Sequence, residues 1–425
     1  MIDNKIFSKI LKDQTFPALG CTEPAALAYA GALARERAGG EIKSVKVLVD
    51  KNFFKNCLRV TIPKTNLKGL VYAVALGILS GNSAYKLEVL RDINDADIRN
   101  AVSLATSGII AVSICPSDYF YIEVSIETVT GSAKCRIEKD HTRVTMIEQD
   151  GQTVFSGDSE IGEADDLINK LSVKSILQFI HQVQVEEIEF LAEGWKMNWD
   201  IAQEGIKNRQ EYYFGSALKD AYSEGDSLIN VVSYAKALTA AACDARMGGL
   251  NHSVMAVAGS GNLGIASIVP VVAVSKVNNI SREKTLKAIA LSQLITIYIK
   301  SKIGVLTPSC GCAVAGGVGA GAALSYLMGG NDNEICLTIK TIIGGLAGMI
   351  CDGAKGGCAM KLAITVGTAF DAVILAKKGI TIQDADGIIV DDVEKSINNL
   401  SYVTVEGMRC MDDSLIQIMN ERLIG

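Results

Sequence analysis

Residues 304–361 constrain this chain more than any other stretch. They begin GVLTPSCGCAVAGGVGAGAAL and end GLAGMICDGAKGGCAMK, and they hold Cys310, Cys312, Cys351 and Cys358. The thiols sit among Gly, Ala and small polar residues, where a plain apolar core would use Leu, Ile and Val. Each thiol-bearing loop adjoins an apolar run rich in small residues. That combination points to something bulky held between helices, and an iron–sulfur cluster is the expected occupant.

Composition fits close helix packing. The chain has 425 residues, enough for two domains, and is 49% hydrophobic but only 6% aromatic. Forty glycines and a mean hydropathy of +0.26 indicate backbones that approach closely. The net charge of −6, with no basic stripe carrying interleaved aromatics, argues against a nucleic-acid partner. The first residues, MIDNKIFSKILKDQTF, have charges every few positions and no apolar h-region, so no signal peptide is expected and the expected location is cytoplasmic. Eleven cysteines in that setting read as reduced thiols and metal ligands, not as a disulfide framework. Cys57, Cys115, Cys135, Cys243, Cys336 and Cys410 read as small buried hydrophobes. Residues 254–275 and 311–329 are uncharged and near the length of a membrane span. Both are Gly-rich and weakly hydrophobic per residue, so they are expected to be buried central helices with no membrane partner.

The expected fold class is α+β: a smaller antiparallel-sheet domain plus a large all-α catalytic domain with Gly/Ala-rich buried helices. Residues 1–41 are expected to form N-terminal helices that carry Cys21 and pack on the C-terminal domain. In that segment Thr22 can cap a helix whose first turn takes Glu23 and Pro24. Cys21 then lies just before a helix N-terminus, where the dipole favours a thiolate. Residues 42–170 read as an α+β domain. Its expected strands are 42–50, 57–62 and most of 86–156, with helices at 67–80 and 93–105. The acidic stretch 158–171 reads as a linker. Residues 171–425 read as all helix, including segments 174–195, 226–246, 282–300, 312–329, 333–350 and 358–377.

Gly259-Ser260-Gly261-Asn262-Leu263-Gly264 is formally G-x-G-x-x-G. Its flanks read as helix and Pro270 follows soon, so a dinucleotide fold is not expected. A glycine turn opening a helix can still bind a carboxylate through backbone N–H groups. Gly259, Ser260, Gly261 and Asn262 are therefore the expected substrate-binding residues, against the plainer reading of a tight helix junction. Zinc fits the cysteines poorly, because there is no C-x-x-C pair and the histidines are only His141, His181 and His252. Thiolates arriving singly from distant loops suit three corners of a [4Fe-4S] cluster with one iron open as a Lewis acid.

Four segments, CTEPAA at 21–26, AGSGNLGI at 258–265, SCGCAVA at 309–315 and CDGAKGGCA at 351–359, resemble the L-cysteine desulfidase family, which is related to the iron–sulfur L-serine dehydratases. The resemblance runs over nearly the whole chain in order. It implies an enzyme with a [4Fe-4S] cluster that converts L-cysteine to pyruvate, ammonia and hydrogen sulfide without pyridoxal phosphate. It also implies three cysteine ligands. Cys21 matches the first and Cys351 the third. The second is Cys312 or Cys310, with Cys312 favoured because the helix begins there, and Cys358 is then a neighbour.

The general base is open at this level. Lys355 lies four residues after Cys351, and His252 precedes the glycine turn; these are the two foremost candidates. Tyr298, Lys300 and Lys302 form a third group, and Arg59 and Lys64 a weaker one. Each also reads as an ordinary surface or structural residue. Glu23 could orient a substrate amine, or only favour the helix dipole. Rival readings are an iron–sulfur L-serine dehydratase, a non-catalytic iron–sulfur sensor and a membrane transporter. The expected partner is a small amino-acid substrate, L-cysteine, and a homo-oligomer is left open.

Overall fold

A computed structural model describes residues 4–424 apart from 118, 158–166, 210–212, 225–229, 383 and 385. The core of the expected linker, 158–166, thus lies outside the described residues. The chain opens with α1 (Asn4–Gln14), β1 (Thr15–Leu19) and α2 (Thr22–Arg37). There follow β2 (Ile42–Val49), α3 (Lys51–Cys57), α4 (Leu70–Ser80), α5 (Asp95–Thr106), β3 (Ile110–Ile114), β4 (Tyr121–Thr128), β5 (Ser132–Glu138), β6 (Val144–Gln149) and β7 (Gln152–Ser156). The remainder is α6 (Val173–Gln182), α7 (Leu191–Lys207), α8 (Phe214–Glu224), α9 (Val231–Met247), β8 (Ser253–Val257), α10 (Gly261–Val277), α11 (Arg282–Ile303), α12 (Gly311–Leu327), α13 (Asp332–Leu346), α14 (Cys358–Lys377), α15 (Val393–Tyr402) and α16 (Met411–Ile424). The class is α+β, with a sheet unit and a large helical unit.

The sheet runs β3-β2-β4-β5-β6-β7. Its pairs are antiparallel except β2 with β3, which are parallel. The sheet is antiparallel as expected apart from that one pair, a departure that arises because α3, α4 and α5 lie between the two strands and supply the crossover a parallel pair needs. The expected strand at 57–62 is also absent. Asp50 accepts hydrogen bonds from the N–H groups of Asn52 and Phe53, both at 2.9 Å, and so starts α3 instead. Val60 and Ile62 are buried in the loop beyond it, which explains their alternation without a strand. A third correction is β8, a strand inside the region expected to be all helix. It pairs antiparallel with β1 from Thr15↔Val257 to Leu19↔Ser253.

Two apolar cores result. α2, with Ala25–Ala28 buried, packs with α4 against the sheet. α1 instead joins the helical core, with Phe7 stacked on Phe179 at 4.7 Å. The N-terminal segment is therefore shared between both cores.

α12 is the axle of the helical core, and its glycines are set by its neighbours. A Cβ on Gly316 would lie 2.8 Å from Ala266 of α10, and one on Gly317 would lie 2.4 Å from Thr365 of α14. One on Gly321 would lie 2.2 Å from Ile342 of α13. At Gly319 the obstacles on α11 are Thr296 Oγ1, 2.2 Å away, and the Ser292 carbonyl oxygen, 2.3 Å away, and that backbone cannot step aside. Gly319→Ala should therefore destabilise the chain by about 1–3 kcal/mol, through overpacking. Helix propensity alone gives the opposite sign, about 1 kcal/mol of gain. Urea unfolding of the two proteins decides between them, and a stabilised variant would refute the packing account.

Of the two stretches of near-span length, 254–275 divides into β8 and most of α10, and 311–329 becomes α12; both helices have 17 residues and are almost wholly buried. Among the described residues, one helix, α14, is long and apolar enough to cross a membrane, and half of its apolar window is buried inside the protein.

Candidate functional site

The two cysteine loops of the helical unit are tied together by backbone. Ser309 and Ile350 form an antiparallel bridge. The Cys310 N–H donates to the Met349 carbonyl at 2.7 Å, and the Cys351 N–H to the Pro308 carbonyl at 2.6 Å. Residues 39–43 apart in sequence are thus held side by side, and Cys310, Cys312, Cys351 and Cys358 face one cavity. Cys21 enters the same cavity from the start of α2. Cys21, not Thr22, occupies the N-cap position, and its side chain makes no cap bond. Its Sγ–H donates instead to Glu23 at 2.8 Å, and the same carboxylate accepts from Thr22 Oγ1 (3.2 Å) and Asn56 Nδ2 (3.2 Å).

The glycine turn forms the facing wall. Ser260 and Asn262 line the cavity, and Ser260 Oγ lies 3.5 Å from Cys312 Sγ. Gly259 has φ +77°, and a Cβ there would lie 2.8 Å from His141 Nδ1. A Cβ on Gly261 would lie 2.3 Å from Arg246 Nε. The turn is therefore glycine-rich so that two side chains can press against it, one from the sheet unit and one from the end of α9.

Those two side chains are the ones the sequence reading passed over. His141 is 1% exposed, stacks obliquely on Phe120, and has no hydrogen-bond partner on either ring nitrogen. Arg246 is 2% exposed, with Nε and one terminal nitrogen unpartnered. Buried polar groups are nearly always paired, and an unpaired one costs about 1–3 kcal/mol, more when charged. Both line the cysteine cavity, where these nitrogens are available as hydrogen-bonding groups. A signal for Arg246 does exist in the sequence: Asp244 and Arg246 follow directly on the Ala- and Leu-rich run 237–243 of that helix. His141, in the turn after β5, has none.

The electrostatics are those of a desolvated site. Burial, and next Glu23, push the Cys21 thiol well above its ordinary value. Burial likewise raises Cys310, Cys312 and Cys358, the last to about 12. Burial works to raise Glu23 too, but His141, the Cys21 thiol and Arg246 outweigh it and hold the carboxyl below its usual range. Burial lowers His141 below the ordinary histidine value against the pull of Glu23 and Asp140, so the ring is neutral. Lys300 is also lowered by burial, opposed by Cys312, Cys351 and Cys310; its ammonium donates to the Val305 carbonyl at 3.0 Å.

The other expected candidates lie elsewhere. Lys355 is ion-paired with Asp352 and borders a separate cavity of about 630 Å³. His252 Nδ1 bonds the Ser253 carbonyl and does not line the cysteine cavity. Tyr298 donates to Glu394, Lys302 lies over the Tyr298 ring, and Lys64 donates to the Arg91 carbonyl. Arg59 is exposed beside the 630 Å³ cavity. Of the early candidates for a base, only Lys300 reaches the thiols.

Comparison with known proteins agrees in extent. A UPF0597 protein of Clostridium tetani is 40% identical over 419 residues, spanning 97% of this chain and 98% of the relative. One from Caldanaerobacter subterraneus is 40% identical over 422 residues, and one from Geobacter sulfurreducens 37% over 425, each spanning 98% of both chains. The family model described as serine dehydratase alpha chain matches residues 84–417, which include every cavity residue named here except Cys21, Glu23 and Asn56. On that match, over more than half its length, the chain belongs to the serine dehydratase alpha-chain family.

Proposed function

We propose that this chain is an iron–sulfur lyase that eliminates the β-substituent of a small amino acid, and that the amino acid is L-cysteine. The observation that carries the reading is the convergence of separate thiols on one buried cavity that also holds a guanidinium with two unpartnered nitrogens and an unpaired neutral imidazole. Among the described residues, no three His, Cys, Asp or Glu side chains close around a single ion; the support for a multi-iron group is the set of thiols that share the cavity. Cys21, Cys312 and Cys351 would hold a [4Fe-4S] cluster, with Cys310 as the alternative to Cys312. Such a cluster, when bound, supplies a Lewis acid for the leaving group.

The protein's own groups do the rest. Arg246 presents its unpaired N–H edges to the substrate carboxylate, assisted by the N-terminus of α10 at Ser260–Asn262. Glu23 accepts from the α-ammonium. Neutral His141 takes the Cα proton at whichever ring nitrogen faces it. Loss of the β-substituent leaves aminoacrylate, which becomes pyruvate and ammonia in water.

The test is anaerobic: reconstitute the full chain with iron and sulfide, then measure sulfide and pyruvate from L-cysteine, with L-serine in parallel. Cluster-dependent release of both products from cysteine is the expected result. The family description favours the second reading, an L-serine dehydratase, and pyruvate from serine alone would establish that one instead. Bound cluster with no product from either would sink both and leave the sensor.

A further inference from the structure

α3 has only seven residues, yet it is held on every side. Asp50 caps it and also accepts from the Tyr121 N–H of β4 at 2.8 Å, which fixes its start to the sheet. Its last turn carries Asn56 into the cysteine cavity. There Nδ2 donates to Glu23 at 3.2 Å and Oδ1 accepts from Cys351 Sγ at 3.8 Å. Asn56 thus joins the two ends of the site, the Cys21–Glu23 segment and the Cys351 loop.

Away from the cavity, α3 meets the C-terminal helix. Lys55 and Asp412 form an ion pair with 0% and 2% of their side chains exposed. Lys55 also donates to Asn52 Oδ1 at 3.1 Å, and Lys51 pairs with Asp413 at 3.2 Å on the surface. The Cys351 loop closes the third side. A Cβ on Gly353 (φ +91°) would lie 2.8 Å from the Lys55 carbonyl oxygen and 3.6 Å from Met419 of α16. Neither Lys55 nor Asp412 lines the cysteine cavity.

A buried ion pair is a weak source of stability, because desolvation cancels much of the attraction. It is a strong source of geometry, because either charge left alone is penalised and the two must stay in register. We propose that Lys55 and Asp412 are positioning residues: through them the C-terminal helix clamps α3, so that Asn56 holds Cys351 and Glu23 in place. The clamp is independent of which substrate the cavity takes.

The test reads thiol reactivity in the full-length chain, freed of metal under anaerobic conditions. N-ethylmaleimide labelling of each cysteine is followed by peptide mass spectrometry, with Cys135, buried in the sheet, reporting any global opening. Asn56→Ala and Asp412→Asn should each speed labelling of Cys351 by about tenfold, within the range for coupled neighbours in one network, and leave Cys135 unchanged. The double variant should label no faster than Asn56→Ala alone, because Asp412 acts through Asn56. Multiplicative effects in the double variant would overturn the proposal, as would an unchanged Cys351 in Asp412→Asn. If Cys135 also becomes reactive in Asp412→Asn, the surface pair serves instead. Lys51→Ala should then raise Cys351 labelling about twofold, as loosening one weaker tie of the same helix would, and no change there overturns the clamp.

Discussion

Cys351→Ala should strip the reconstituted chain of its iron–sulfur absorbance and lower product release by at least about 100-fold. Partners one shell out from a metal already cost 10–100-fold when removed, and a direct ligand should exceed that. The same loss is expected of Cys21→Ala and Cys312→Ala. Cys310→Ala should cost far less, because its neighbour sets the two apart. Cys312 Sγ faces the glycine turn through Ser260, near Lys300 and Arg246. Cys310 has its backbone N–H committed to the Met349 carbonyl, and its thiol feels Lys361 as well as Lys300. Iron content and absorbance after anaerobic reconstitution read the result directly. Loss of cluster in Cys310→Ala and its retention in Cys312→Ala would exchange the two roles.

His141→Gln should lower kcat by about 10²–10⁴, the usual contribution of a positioned general base, while the cluster stays bound. Its pH behaviour has a definite sign. Burial holds the folded pKa below the ordinary 6.5, so the ring is neutral at pH 7 and activity should fall only as pH drops through that lowered value. The acidic limb of kcat/KM should vanish in His141→Gln. Stability moves the same way. Below about 6.5 the unfolded chain takes up a proton that the folded site resists, so folding weakens as pH falls. A variant that keeps both kcat and the acidic limb would remove His141 from the chemistry and turn attention to Lys300.

The thiols were legible in the sequence because their signal is local. Cysteine in a run of Gly and Ala stands out wherever it occurs, and SCGCAVA and CDGAKGGCA each carry their own context. The histidine and arginine were not legible because their meaning is spatial. His141 belongs to a turn of the sheet unit, and nothing beside it in the chain shows that Gly259 yields it space. Its burial without a partner exists only in three dimensions. The strand errors have a similar cause. VMAVAGSG is too short an apolar run to separate strand from helix by periodicity, and β8 was lost there. Pro17 in TFPAL argues against an interior strand, yet β1 needs only one neighbour, in a two-stranded ladder where Pro is tolerated. At 57–62 the alternation was real, but it recorded burial of a loop after Asp50 had already started a helix.

The cavity draws Cys21 and Glu23 from a helix that belongs to the sheet core, His141 from the sheet itself, and its other thiols from the helical core. A recombinant fragment holding the helical unit alone would keep Cys310, Cys312, Cys351, Cys358 and Arg246, but would have neither the imidazole nor the first thiol. Shuffling either half onto a foreign partner would carry over shape without chemistry. The full set of groups is present only where both cores are present, and the relatives align across both, over 97–98% of this chain.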